Sequence, residues 1–338
     1  MKLRRPDGQR VAQCGPAMLS GRSGPVGCYV HFRLDGGAQT LHETTVSKSS
    51  GHSGYVLALL LFVLPAVAQA ADLKIATWNL DWLTDRPPGD PALPADVHPR
   101  EPADFDRLRA YAAELDADVI ALQEVDGRTA VARVFPPDRY SIHLTRDHVV
   151  QRVGFAVRRG LRYTMNPDLV ALDTESNLRS GADITLQLPQ GPLRLLAVHL
   201  KTGCFGGGFA RSRRPACATL REQVPVLADW IASRQAEGVP FVVLGDFNRH
   251  MDRSDQLWAA LRGTGPLARA TEGASSPCWG NEAFIDHIIA GGPARAWIEP
   301  GTLRVLTYRE TDPAWKERLS DHCPVSVRFL VGTDAISP

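Results

Sequence analysis

The feature that most constrains this chain is a set of apolar runs that each stop on a polar side chain. In 240-PFVVLGDFN-248, five apolar residues lead to Gly245, then to Asp246 and Asn248. Side chains two apart in an extended segment share a face. The acid and the amide therefore project together from the end of a core strand. Alone, the segment also reads as a strand entering a turn, because Asp and Asn favour turns. The pattern recurs, however. The runs 73-LKIATWNL-80, 118-DVIALQEV-125, 193-LRLLAVHL-200 and 283-AFIDHIIA-290 carry Asn79, Glu124, His199 and Asp286. Asp321 and His322, in 320-SDHCPV-325, stand directly before a further apolar run. Together these make a set rich in carboxylate, amide and imidazole, with no evident Ser or Cys nucleophile. Hard oxygen donors of this kind suit Mg²⁺, Mn²⁺ or Ca²⁺ better than zinc. Such a centre suits attack of water on a phosphate ester.

Periodicity supplies the frame. Phe105, Leu108, Tyr111, Ala112 and Leu115 have helical spacing over 103–117. A long helix is expected at 217–236 and a short one at 254–261. Further strands are expected at 139–145, 151–158, 182–188 and 324–330. Hairpin-like strands with helices before selected core strands imply an α/β fold, a four-layer sandwich of two packed mixed β-sheets flanked by helices.

Residues 55–68 form an apolar run of 14, short of the ~20 needed to span a bilayer. It is followed by 66-AVAQA-70, whose small residues are spaced as a signal-peptidase site requires. The alternative is a short buried helix. The expectation is a signal peptide at 55–70 cut after Ala70, a periplasmic or secreted destination, and a mature domain at 71–338. Residues 1–54 read as a doubtful or disordered extension, with Val46 an alternative start. The chain carries a net charge of +1, but residues 1–70 hold seven basic and three acidic residues. The remainder has 38 − 7 = 31 basic against 37 − 3 = 34 acidic residues, so −3. A domain of that charge is not a general polyanion binder. It keeps four cysteines: Cys204, Cys217, Cys278 and Cys323. In an oxidising compartment an even count suggests disulfides. Cys204 and Cys217 bracket a Gly- and Arg-rich loop and would close it. A zinc site is the alternative, without further ligands at finger spacing. Cys278–Cys323 is a second pairing, against Cys323 as a buried apolar residue.

The motifs IATWNLDWL, ALQEV, VHL, VVLGDFN, FIDHII and SDHCPV resemble, in order, those of the endonuclease/exonuclease/phosphatase superfamily, which includes deoxyribonuclease I and exonuclease III. The resemblance runs from about residue 73 to 330. It implies a deoxyribonuclease I-like sandwich and a Mg²⁺-dependent hydrolase. It implies Glu124, Asn79, Asp81 and Asp321 at the metal. Asp246 would handle the attacking water, Asn248 the scissile phosphate and His322 the phosphate oxygens, with Asp286 orienting His322. His199 matches a second histidine of the deoxyribonuclease I and phosphatase branches, and Arg179 an arginine near the centre. The carboxylate that partners that second histidine has no clear counterpart, Glu175 and Asp147 being weak candidates. The tyrosine that several nucleases carry in the third motif is missing from 152-RVGFAVRR-159.

Lys201 and the loop residues Arg211, Arg213 and Arg214 are expected to contact flanking phosphates, with Phe205 or Phe209 stacking on bases. A solvated loop that only tethers to the fold is the other reading. The expected partner is a phosphate ester, foremost nucleic acid, met by a monomer with no membrane span. Rival readings are a phosphatase or phospholipid-type phosphodiesterase, and a binding module that has lost its chemistry.

Overall fold

The computed structural model describes residues 71–280 and 282–332. The expected leader and signal-peptide run lie outside these residues. In chain order the strands are β1 (Ala71–Leu83), β2 (Val119–Val125), β3 (Tyr140–Leu144), β4 (Arg152–Arg158), β5 (Tyr163–Met165), β6 (Ala182–Leu188) and β7 (Gly191–His199). They continue as β8 (Phe241–Asp246), β9 (Leu267–Arg269), β10 (Ser275–Ser276), β11 (Glu282–Ala283), β12 (Asp286–Gly291), β13 (Arg304–Val305) and β14 (Val325–Val331). The helices are α1 (Pro102–Leu115), α2 (Arg128–Val134), α3 (Pro215–Glu237), α4 (Gln256–Arg262) and α5 (Trp315–Arg318).

Two six-stranded sheets form, in the orders β13-β14-β1-β2-β4-β3 and β5-β6-β7-β8-β12-β9. Both are mixed. The pairs β1–β2 and β7–β8 are parallel and the remaining pairs antiparallel. Alternation explains the layering. Leu73, Ile75, Val119 and Ala121 of one sheet face Leu193, Leu195, Val242, Leu244 and Ile288 of the other in a shared interior. The intervening Ala76, Trp78, Ile120 and Leu122 turn outward and pack on Phe105, Leu108 and Leu115 of α1 and Val131 and Val134 of α2. On the opposite outer face, Leu196, Val198 and Val243 pack on Leu220, Leu227 and Ile231 of α3 and on Trp258 of α4. The molecule is thus the four-layer sandwich expected.

Helix boundaries follow local chemistry. The side chain of Asp104 reaches back to accept from the Glu101 N–H at 3.1 Å, filling the role of N3 in a capping box. Gly238, with φ 67°, ends α3 in the left-handed conformation glycine tolerates.

Candidate active site

The polar strand ends meet at one end of the two sheets. By register, Asp246 of β8 stands beside His199 of β7 and Asp286 of β12. Interior residues Ala197, Leu244 and Ile288 lie two positions along each strand, so alternation turns all three polar side chains toward the facing sheet. There Asn79 continues the parity of Leu73 and Ile75. Its Nδ2 donates to Asp246 Oδ2 and to Glu124 Oε1, both at 3.1 Å. One carboxamide thus ties the two sheets together, and its Oδ1 accepts from the Asp81 N–H at 2.9 Å.

Glu124 reaches this place by breaking the alternation. Gln123 holds the interior position and accepts from Thr77 Oγ1 at 3.1 Å. Glu124 then takes φ 58°, and the register between β2 and β4 shifts between Leu122 and Val125. Asp81, Trp82, Glu124 and Asn248 are four of the seven non-glycine residues with positive φ among the described residues. Such conformations cost free energy and concentrate where geometry serves chemistry.

Electrostatics separate the two histidines. His322 Nδ1 lies 2.8 Å from Asp286 Oδ2. Its Nε2 is 3.7 Å from Asp246 Oδ2 and 3.7 Å from Asp321 Oδ1. Burial opposes the charged form, but Asp286 and Asp246, with Asp321, hold the imidazole well above its usual range. His199 is the reverse. Arg179 Nε donates to its Nδ1 at 3.1 Å, and Arg179 Nη2 lies 2.8 Å from both ring nitrogens. Burial, then Arg179 and His322, push it well below the usual range. His199 is therefore neutral. Its Nε2 lies 3.5 Å from Glu124 Oε1 and 3.6 Å from Asp246 Oδ2.

Two acids are raised to about 7. For Asp246 burial dominates and Asp286 adds to it, while His322, the Asn248 N–H and the Asn79 amide oppose. For Asp81 burial again leads, followed by repulsion from Asp321 and, beyond the opposing Arg100, from Glu124.

The segment before β14 is fixed from three sides. Ser320 Oγ donates to the Asn79 carbonyl at 2.8 Å. Tyr308 takes the Trp78 indole N–H at 3.0 Å and donates to the His322 carbonyl at 2.9 Å. Arg100 Nη2 donates to the Leu80 and Leu319 carbonyls, both at 2.8 Å. Arg100, Tyr308 and Gln151, whose amide donates to Glu124 Oε2, were not singled out in the sequence. Arg100 and Tyr308 sit in irregular segments where spacing carries no signal, and Gln151 stands directly before β4.

Other expected residues fare differently. Asn248 adjoins the site, but its Nδ2 already donates to Leu200 O at 3.0 Å and Asp246 Oδ2 at 3.1 Å. Glu175 takes the Thr219 hydroxyl at 2.5 Å and lies 3.6 Å from Lys201 Nζ. Asp147 binds the N–H and hydroxyl of Ser180. The neighbour at His199 Nδ1 is thus an arginine and neither of those acids. Lys201 faces Glu175, and Arg211, Arg213 and Arg214 are exposed and do not line the cavity beside His322. The reason is local. Arg221 Nη1 donates to the Phe209 and Ser212 carbonyls at 2.8 and 3.1 Å, holding this part of the loop on α3. Phe209 is buried under Arg249, with the guanidinium 5.0 Å from its ring, and so is no stacking platform. Cys204 bonds Cys217, and Cys278 bonds Cys323. The second bond settles the choice left open for Cys323.

The Endonuclease/Exonuclease/phosphatase family profile matches residues 76–322. The chain belongs to that family. No curated protein matches it in sequence. Solved structures share the fold. TDP2 from C. elegans has a TM-score of 0.54 at 15% identity, over 77% of this chain and 75% of that one. D. rerio TDP2 complexed with a single-strand DNA product gives 0.52 at 16%, over 77% and 99%. The 3'-5' exonuclease NExo of Neisseria meningitidis gives 0.51 at 18%, over 76% and 99%.

Proposed function

We propose that this chain is an exported, divalent-cation-dependent phosphodiesterase that cuts nucleic-acid strands. The observation that carries the reading is the part-buried Asp286–His322 pair set against Asp246, which Asn79 joins to Glu124. The nucleic-acid part draws support from relatives of this fold with DNA products bound, D. rerio TDP2 and Neisseria NExo. Export draws support from the two disulfides.

Two acidic groups could hold a cation. Asp246, Asp286 and His322 bring three donor atoms within 4.8 Å of one another. Protons already serve that group, through the His322–Asp286 bond and the amide donors on Asp246. Glu124, Asp81 and Asp321 instead crowd together, and burial, then repulsion from Asp321 and Glu124, raises Asp81 to about 7. That crowding and the all-oxygen donor chemistry fit Mg²⁺, Mn²⁺ or Ca²⁺. Glu124 and Asn79 would hold the ion, with Asp81 and Asp321 beside them. Bound there, it would neutralise charge on the phosphate as the transition state forms.

The protein's own groups then divide the work. Asp246, poised near neutrality, accepts the proton of the attacking water. His322, kept cationic and oriented by Asp286, meets the negative phosphoryl oxygens. Neutral His199, aligned by Arg179, stands with Nε2 beside the Glu124 and Asp246 oxygens. Asn248 holds Asp246 in place, and contact with phosphate requires one of its two amide bonds to open.

The test is a panel of plasmid DNA, single-stranded oligonucleotide, RNA, inositol phosphates and sphingomyelin, with Mg²⁺ or with EDTA. Cleavage of nucleic acid only with the cation is expected. Turnover restricted to inositol phosphates or sphingomyelin would replace the nuclease reading, and turnover in EDTA would remove the cation.

A further inference from the structure

Beside the His322–Asp286 pair lies a cavity of about 310 Å³. Phe205 stands in one wall and Trp279 in another, and His250 and Lys316 also line it. Phe205 is 41% exposed, yet it is firmly held. Cys204 before it is bonded to Cys217 at the start of α3. Arg249, buried and paired with Asp255, donates to the Cys204 and Gly207 carbonyls at 2.8 and 2.7 Å. The Phe205 carbonyl accepts from the His250 N–H at 2.6 Å. A glycine-rich loop is thereby fixed around a phenyl ring that remains in solvent.

The other wall is fixed as well. Cys278 is bonded to Cys323, next to His322. The Trp279 indole donates to the Ser320 carbonyl at 3.0 Å and packs on Tyr308, with Lys316 Nζ 5.7 Å from its ring. Trp279 is therefore wall, whereas Phe205 has a face to offer. Lys316 has no carboxylate within ion-pair distance among the described residues.

We infer that this cavity is a subsite for one unpaired nucleotide adjoining the scissile phosphate, its base stacked on Phe205 and its phosphate met by Lys316. The inference deepens the phosphodiesterase reading and rests on it. A pinned, solvent-facing aromatic loses little freedom when it binds, and every base has a π-face to stack. The volume is at the small end of ligand cavities, enough for one nucleotide and too little for a base pair. A duplex must open before a base can enter. The enzyme thus favours single strands and frayed ends.

The test compares kcat/KM on three substrates: bis(p-nitrophenyl) phosphate, a single-stranded oligodeoxynucleotide, and its blunt duplex. Wild type should prefer the single strand over the duplex by tenfold or more. Phe205→Ala should lower the single-strand value about tenfold more than it lowers the small-diester value, and Phe205→Trp should restore most of that loss. Lys316→Gln should weaken single-strand turnover and reduce its salt slope by about one. Single-strand turnover at the wild-type rate by Phe205→Ala overturns the subsite. So does an equal loss on the small diester, which would place Phe205 at the reacting centre. Wild type inactive on the small diester fails the phosphodiesterase reading itself, and the subsite with it.

Discussion

Glu124 and Asp246 are nearly isosteric with their amides, so removing one charge from each is a clean test. Glu124→Gln and Asp246→Asn are each expected to abolish turnover with circular dichroism unchanged. Activity within a few-fold of wild type in either would refute the site. His322 and His287 make a sharper contrast, being two imidazoles in one small region. His322→Ala is expected to lose about 10²-fold or more in kcat, and His287→Ala far less. His287 faces away from the site, where its Nε2–H donates to the Arg249 carbonyl at 3.0 Å and its Nδ1 accepts from Thr271 at 2.6 Å. Burial pushes it down to about 3. The unfolded chain therefore binds this proton below about pH 6.5 while the folded chain refuses it until about 3. Stability should fall with acid across that window, by up to about 1.4 kcal/mol per pH unit from this group. Urea melts between pH 7 and 4 check this, and a His287→Gln variant with the same slope would refute it.

At the scale of strands, Gly245 shows how tightly β7 and β8 are joined. It has φ 144°, and a Cβ there would sit 2.0 Å from the Val198 carbonyl oxygen. Gly245→Ala is expected to cost on the order of 3 kcal/mol or more. Gly127→Ala, where a Cβ meets nothing within 4 Å, should cost under about 1 kcal/mol. Denaturant midpoints of the two variants decide it. The same strands show what the sequence could reveal. Asn79, His199, Asp246 and Asp286 share the parity of the interior residues before or after them, so simple alternation placed them together. Glu124 obeys no such rule, because Gln123 holds the interior parity and only the bulge brings Glu124 in. Its place was legible through the motif resemblance and not through periodicity. The short α2 and β5 were missed, being too brief for a pattern to stand out. Nor does spacing encode where a loop folds. Phe205 and Phe209 looked equivalent, and Arg249 buried one of them. The Cys278–Cys323 pairing, 45 residues apart, is set by tertiary packing alone.

For the molecule as a whole, the proposed cation site would tie binding to stability. A cation at 100 times its dissociation constant adds about 2.7 kcal/mol to the folded state. Mg²⁺ should raise Tm in wild type and scarcely move it in Glu124→Gln, and an equal rise in both would refute the assigned site. The disulfides act on the same scale. Chain-entropy arguments give about 3 kcal/mol for the loop closed by Cys204–Cys217 and about 4 kcal/mol for Cys278–Cys323. Calorimetry with and without a dithiol reductant should register their loss, and an unchanged Tm after verified reduction would refute it. Each bond anchors one wall of the cavity beside His322. The shape of that cavity is therefore a property of the chain's surroundings as well as of its sequence. Where glutathione keeps thiols reduced, both tethers are open and the walls of the cavity are slack. The same walls set only in an oxidising space, so the two sulfur bonds make the shape of the cavity depend on the redox state around it.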